Sequence, residues 1–397
     1  MSKRPAGVDT DGLLHDVVVV GAGPVGSTLA LALADSELDV VVLDARGPGE
    51  TRRGDRSLAL SHGARLILER LDVWNELAAT PGAATPITRI DISQSGGFGQ
   101  MQLAADEQAL PALGYVVSYR ALQAALDAAL TRTRVALRHG VTVSSVGGTP
   151  AYAAVVPEDA DAQPLLARVA AVADGTGAAI AGIARQRHDY GQVALVARVW
   201  RAMPHGGLAY ERFTPAGPIA LLPEGDHYGL VWTVTSDRAQ SLLALADAEF
   251  LAQLAHHFGP RNGNFTRVAD RRAFPLVLEF ARVPAGTRTV ALGNAAQTLH
   301  PVAGQGFNVG LRDAWELAEI ILDTPRENLG DRAMLARYLR GRCADRTAGI
   351  AFTHGLVNVF GNDLPFLRWP RGLALTLLDT VPPAKRAFTR AMLFGLR

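Results

Sequence analysis

Residues 289–323 read TVALGNAAQTLHPVAGQGFNVGLRDAWELAEIILD. A short apolar run, 289–292, enters a loop that holds Gly293, Asn294, Pro301, Gly304 and Gly306. The spacing then predicts a helix, with Leu311, Ala314, Trp315 and Ala318 on one apolar face. A glycine-rich loop ahead of a helix offers backbone N–H groups and the positive end of the helix dipole to a ligand. That chemistry suits a phosphate, a ribityl chain or the electron-rich edge of a reduced flavin.

A second segment points at the same kind of ligand. Residues 16–44 read DVVVVGAGPVGSTLALALADSELDVVVLD. The β-branched run 17–20 fits a buried parallel strand. Gly21, Gly23 and Gly26 match G-x-G-x-x-G: a tight turn, a backbone open to pyrophosphate, and close packing of helix on strand. A helix and a second strand, 40–43, follow. Asp44 ends that strand, where a carboxylate can accept hydrogen bonds from an adenosine ribose. Strand, glycines, helix, strand and acid in this order specify a dinucleotide site. Residues 17–34 carry no charge, yet each half of this strand-turn-helix is too short to cross a bilayer.

Composition fits an enzyme of two or three domains. The chain has 397 residues and a net charge of +1, which argues against nucleic-acid binding through a broadly basic surface. A single cysteine, Cys343, can form no internal disulfide and supplies no metal cluster, and no spacing suggests a metal site. Residues 1–15 lack an apolar signal core, so a cytoplasmic location is expected. The Ala/Gly/Pro/Asp-rich stretch 146–164 reads as a surface connection or hairpin.

A third segment is ARVAAVADGTGAAIAGIAR, 167–185, in which a strand-like run ends at Asp174-Gly175. With the N-terminal glycines and the late Gly-Asn-to-Pro-to-Gly loop, it completes three motifs. Together they resemble the class A FAD-dependent aromatic hydroxylases of the para-hydroxybenzoate hydroxylase fold. GNAAQTLHPVAGQGFNVGLRD resembles the ubiquinone-biosynthesis hydroxylases within that superfamily, above all those acting on 2-polyprenyl-6-methoxyphenol. The resemblance spans roughly 15–390.

The resemblance implies an α/β (overall α+β) chain: a Rossmann-like FAD-binding domain, 1–185 with 286–330, and an inserted mixed β-sheet substrate domain, 186–285. It also implies a contribution to the latter from about 80–115 and a helical C-terminal region, 331–397. It assigns the ADP half of FAD to Gly21, Gly23, Gly26 and Asp44. Arg56 falls on the flavin side and Arg120 near the phosphates. Asp174 and Gly175 serve both FAD and NAD(P)H. Gly293 and Asn294 contact the ribityl and pyrophosphate, and Pro301, Gly304, Gly306 and Asn308 line the isoalloxazine. Two positions depart from the pattern: Asn294 stands where Asp is usual, and Ala178 stands where a Ser often follows the Asp-Gly. His300 beside the flavin reads either as a general base or as part of a loop that shapes the pocket with Pro301. His256 and His257 read as a polar helix face.

The implied reaction uses tightly bound FAD, transient NAD(P)H and O2 to hydroxylate a hydrophobic prenylated phenol through a C4a-hydroperoxyflavin. A single G-x-G-x-x-G leaves the nicotinamide without a Rossmann domain of its own. The same chemistry at another ring position or on a small phenol, a reductase that makes no use of O2, and a non-catalytic FAD-binding subunit of a biosynthetic assembly are the alternatives. Segments 192–200, 216–224 and 228–234 read as strands of a sheet over the flavin. Pro218, Leu221, Leu222 and Pro223 are either pocket or core residues. The C-terminal region mixes Phe, Leu, Trp and Met with arginines. It reads either as a basic amphipathic surface lying on the inner face of a membrane or as a cap on the flavin domain or on another subunit of a homo-oligomer.

Overall fold

The computed structural model describes residues 14–50, 56–175, 178–262, 264–299, 304–360 and 365–395. The β-branched run near the N-terminus forms strand Leu14–Val20, with Val17 to Val20 buried on both faces. Such a strand needs neighbours on both sides and layers above and below. Val40–Asp44 pairs with it in parallel on one side and Leu165–Val172 on the other. Ala136–His139 extends the sheet beyond Val40–Asp44, and Thr289–Ala291 runs parallel to the last residues of Leu165–Val172. The 146–164 stretch contributes the hairpin Val143–Gly148 and Ala153–Pro157.

The five strands Leu14–Val20, Val40–Asp44, Ala136–His139, Leu165–Val172 and Thr289–Ala291 therefore run the same way and end at one edge of the sheet. In an open α/β sheet that edge binds ligands. Three hydrogen bonds hold the strand ends level: Gly21 N donates to Leu43 O at 2.7 Å, Ala173 N to Val20 O at 2.7 Å, and Leu292 N to Val172 O at 2.8 Å. Helices Pro24–Leu33 and Gln305–Leu322 cover one face together. Leu29 and Leu33 of the first share a core with Ala314, Leu317 and Ile321 of the second.

A second, eight-stranded sheet is built from Arg185–Arg201, Leu208–Thr214, Gly217–Glu224, His227–Thr235 and Phe265–Ala281, with Gln297–Thr298 at one edge. Arg89–Gln94 and Gln100–Ala104 complete its other edge, through a parallel pairing of Arg89–Gln94 with Leu208–Thr214. Helices Ser236–Ala244 and Asp247–Asn262 pack on one face, where Leu195, Tyr210, Leu221 and Trp232 meet Leu242, Phe250 and Phe258. Leu221 is thus core. Its neighbour Leu222 projects to the other face and packs with Ile87, Val116, Ala209 and Ile90. A small sheet of Ser57–Ser61, Ala84–Ile87 and Gly114–Ser118 lies between the two large ones. Helices Arg332–Phe360, Pro365–Thr380 and Pro382–Phe394 form the C-terminal region. Among the described residues, no helix is long and apolar enough to cross a membrane.

A buried ionic network ties these layers together. Arg342, on the first C-terminal helix, donates to Asp313 Oδ1 at 2.6 Å and lies 2.8 Å from Asp345 Oδ2. Asp313 Oδ2 accepts from Gln297 at 3.2 Å, and Gln297 Oε1 accepts from Arg346 at 2.9 Å. Arg346 also donates to Ala281 O, at the end of strand Phe265–Ala281, at 3.0 Å. The late helix, the loop before it and the second sheet are therefore clamped by two arginines. Removing one charge leaves the other buried and unpaired. Arg342→Met is expected to lower stability by roughly 3–5 kcal/mol in urea unfolding; a change below about 1 kcal/mol would contradict this role for the network.

Candidate functional site

A cavity of about 270 Å3 opens where the strand ends, the small sheet and the late helix meet. Gly23, Arg56, Asp174, Gly175, Asn294, Gly304 and Gly306 line it, seven positions singled out in the sequence. They come from four segments far apart in the chain. Val25, Leu58, Ala59, Tyr119 and Phe307 complete the wall. Spacing gave no sign of these last residues. Leu58 and Ala59 lie on a short strand, and Tyr119 opens helix Tyr119–Thr131 behind the cap Ser118, whose hydroxyl accepts from Ala121 N at 3.1 Å.

Each glycine of the opening motif has a distinct role. A Cβ on Gly26 would lie 1.9 Å from the carbonyl oxygen of Gly21, so the helix can sit on the strand only with glycine here. A Cβ on Gly23 would meet no protein atom within 4 Å. The space beside Gly23 belongs to the cavity, not to packing. Gly293 lies under the cavity against Val25, and Gly304 starts helix Gln305–Leu322 in the left-handed region, at φ +60°. The first turn of that helix, where N–H groups have no partner within the helix, opens onto the cavity through Gly306 and Phe307.

The acids divide sharply. The Asp44 carboxylate accepts from Ala22 N at 2.7 Å, Arg46 N at 2.8 Å, and the Arg46 guanidinium at 3.1 Å on both oxygens. Burial works against its charge, and the hydrogen bonds and charge of Arg46 outweigh that and hold it below the usual carboxylate range. Arg46 also donates to Ala22 O at 3.0 Å, so Asp44 and Arg46 together hold the glycine turn. Asp174 is different. Its Oδ2 accepts from Ala178 N at 2.6 Å, a backbone bond for which the missing serine hydroxyl is not needed. Its Oδ1 is buried with no partner.

Among the described residues, the remaining sequence candidates fall outside the lining. Asn308 is buried: its Oδ1 accepts from Ser61 N at 2.8 Å, and its Nδ2 donates to Ala59 O at 3.0 Å and Gly304 O at 2.8 Å. It fixes the wall strand to the helix start. Arg120 is exposed on the first turn of its helix. Arg56, which does line the cavity, packs its guanidinium 4.8 Å from the Tyr119 ring centroid. His300 and Pro301 lie outside the described residues.

The sheet face turned toward the small sheet carries one more acid, which the sequence did not reveal. Glu211 pairs with Ala220 and Ile92 across two strands. Its Oε1 is buried without a hydrogen bond, and burial pushes its carboxyl up to about 7.

The sequence profile described as "FAD binding domain" matches residues 15–350. The chain belongs to this FAD-binding family. It is 35% identical to ubiquinone hydroxylase UbiL of Rhodospirillum rubrum, over 94% of this chain and 88% of that one. It is 30% identical to 3-demethoxyubiquinol 3-hydroxylase of Escherichia coli, over 94% and 96%. The fold is similar to that of p-nitrophenol 4-monooxygenase PnpA of Pseudomonas putida, with TM-score 0.74 and 18% identity over 97% and 99% of the two chains. The chain is thus an FAD-dependent hydroxylase, and FAD is its cofactor. The cavity fits that group on two counts: open space where pyrophosphate approaches Gly23, and an orphan acceptor on Asp174 where a ligand hydroxyl can donate.

Two outcomes follow. Gly23→Ala is expected to leave the unfolding midpoint of the apoprotein unchanged while weakening FAD at least about tenfold, by fluorescence titration; unchanged affinity would contradict a phosphate approach at Gly23. For Glu211, a folded carboxyl near 7 against an ordinary 4.5 means that the folded state holds the proton more tightly. Its contribution is most favourable below about pH 4.5 and is lost as pH rises toward 7, then stays level. Glu211→Gln should therefore remove about 3 kcal/mol of the fall in stability between pH 4.5 and 8, measured by urea unfolding. Parallel profiles for the two proteins would contradict the buried placement.

Proposed function

We propose that this chain uses NAD(P)H and O2 to hydroxylate the aromatic ring of a prenylated phenol in ubiquinone biosynthesis. The observation that carries this reading is the cavity in which the Gly23 turn, Asp174 and the helix start at Gly304 and Gly306 come together. It is supported by relatives named as ubiquinone hydroxylases that match nearly the whole chain. When bound, FAD supplies the redox chemistry: it accepts a hydride from reduced nicotinamide and activates O2 for transfer of one oxygen atom.

The chain's own residues bind, orient and keep water out. Gly21, Gly23 and Gly26 would take the pyrophosphate against the backbone, and Asp174 Oδ1 would accept a hydroxyl of the cofactor. Gly293 and Asn294 would bracket the ribityl chain, with Gly304, Gly306 and the helix N-terminus beside the ring. Partial positive charge there favours negative charge on the ring's polar edge. Asn308 positions this turn without touching the ligand.

A prenylated substrate resides in a bilayer, and one surface of the chain suits delivery from it. Trp369, Leu373 and Leu377 are 74%, 53% and 50% exposed, at i, i+4 and i+8 of helix Pro365–Thr380. Phe98 adds its ring 4.9 Å from Trp369, and exposed Arg386 and Arg390 follow on the next helix. Apolar side chains beside arginines favour an anionic membrane surface.

Two measurements check these readings. Oxygen uptake by the FAD-loaded protein with NAD(P)H should accelerate on adding a short-chain 2-prenyl-6-methoxyphenol and give a product heavier by one oxygen; unstimulated uptake with only peroxide formed would contradict the hydroxylase reading for this substrate class. Flotation with anionic liposomes should be lost in Trp369→Glu/Leu373→Glu; equal flotation of wild type and variant would remove this helix from membrane contact.

A further inference from the structure

Among the described residues, Glu211 Oε1 has no hydrogen-bond partner, although its strand is paired on both sides. On strand Leu208–Thr214, Tyr210 packs into the helix-covered core, so its neighbour Glu211 projects to the opposite face. The residues paired with Glu211 on that face are Ala220 and Ile92, neither of which can hydrogen-bond through its side chain. Ile92 packs with Met101, Leu103 and Leu375, beneath the C-terminal helices. Ala209 and Leu222 pack against Ile87 and Val116 of the small sheet. The same small sheet supplies Leu58 and Ala59 to the cofactor cavity, and Ser57 Oγ donates to Glu224 on this sheet face at 2.5 Å. Glu211 therefore projects from the large sheet on the side that faces the cavity wall.

The charged groups around it are engaged elsewhere. Asp91 and Arg212 project from the opposite face, where Arg212 donates to Ser93 Oγ at 3.1 Å. Glu224 holds Ser57 and lies 3.6 Å from His227 Nε2. From the helices across this face, Arg346 is held by Gln297 and Ala281, and Asp379 pairs with Lys385 at 3.1 Å; Arg371 is buried on the same helix as Asp379. Burial alone acts on the Glu211 carboxyl. An isolated acid in an apolar sheet face is a standing cost to stability, and an unpaired acceptor there suits a ligand donor.

We propose that Glu211 receives the ring hydroxyl of the phenol substrate and takes its proton as the ring is attacked, an inference that rests on the prenylphenol reading. In that step the phenolic O–H bond breaks and its proton forms an O–H bond on the Glu211 carboxylate. The bonding pair stays on the ring oxygen, and the net charge is unchanged. Electron density pushed from that oxygen into the ring makes the ring carbon a better nucleophile toward an electrophilic oxygen.

The test is binding to the FAD-loaded protein by calorimetry. The probes are a short-chain 2-prenyl-6-methoxyphenol and its methyl ether, which lacks the donor. Wild type should favour the phenol at least about tenfold, with phenol affinity rising as pH passes from 6 to 8 while ether affinity stays level. Glu211→Gln should keep its FAD and lose the pH dependence, and Glu211→Ala should bind both probes alike. A Glu211→Ala protein that keeps the full phenol preference and pH profile would overturn the role of Glu211 and leave the substrate class standing. Wild type that binds neither probe would overturn both.

Discussion

Gly26 approaches Gly21 so closely that a single added carbon would fall 1.9 Å from the Gly21 carbonyl oxygen. That contact sets the first helix directly on the turn that ends the central strand. The turn in turn packs on the Asp174 backbone, where a Cβ on Gly21 would meet Cα at 2.7 Å. The late helix follows the first one, because Gly310 packs on Gly293, with a Cβ there 3.1 Å from the Gly293 Cα. Three loops separated by more than a hundred residues can then share one edge of the sheet. Their side chains are absent where they touch, so their backbones and a ligand can occupy the same small volume.

Charge is arranged to the same end. Asp44 is saturated by Arg46 and Ala22, Asp313 by Arg342 and Gln297, and Asp345 by Arg312 and Arg342. These pairs fix the glycine turn and the late helix. Among the described residues, two buried carboxyl oxygens lack partners: Asp174 Oδ1 and Glu211 Oε1. One lies on the cofactor cavity, and the other projects from the sheet face opposite its wall. Unpaired buried acceptors are costly in a folded chain, and each suits a ligand donor.

The cofactor half was legible because dinucleotide binding needs particular backbone shapes, and glycine is the residue that permits them. Gly21, Gly23, Gly26, Gly304 and Gly306 could be read from glycine spacing, and Asp174 from the family resemblance. The strands over 192–200, 216–224 and 228–234 were legible from β-branched runs and turns, whereas Leu208–Thr214 and Phe265–Ala281 of the same sheet were not singled out. Asn308 was found by motif, yet its part is structural: both ends of its amide bond backbone. Asp44 likewise bonds the protein's own turn, a role hidden until Arg46 folds back onto it. The substrate half was not legible. No motif singles out Glu211 in LAYERFT, and only the packing of Tyr210 into the helix-covered core shows which face it takes. The same alternation separates Leu221 from Leu222, which composition cannot do.

The most direct test is a crystal structure of the FAD-loaded protein. The pyrophosphate should lie against the Gly23 backbone, a cofactor hydroxyl should donate to Asp174 Oδ1, and the ring should lie between Ala59 and the first turn of helix Gln305–Leu322. Density for the dinucleotide away from these residues, or a ring on the far side of the small sheet from Glu211, would contradict both halves of the site.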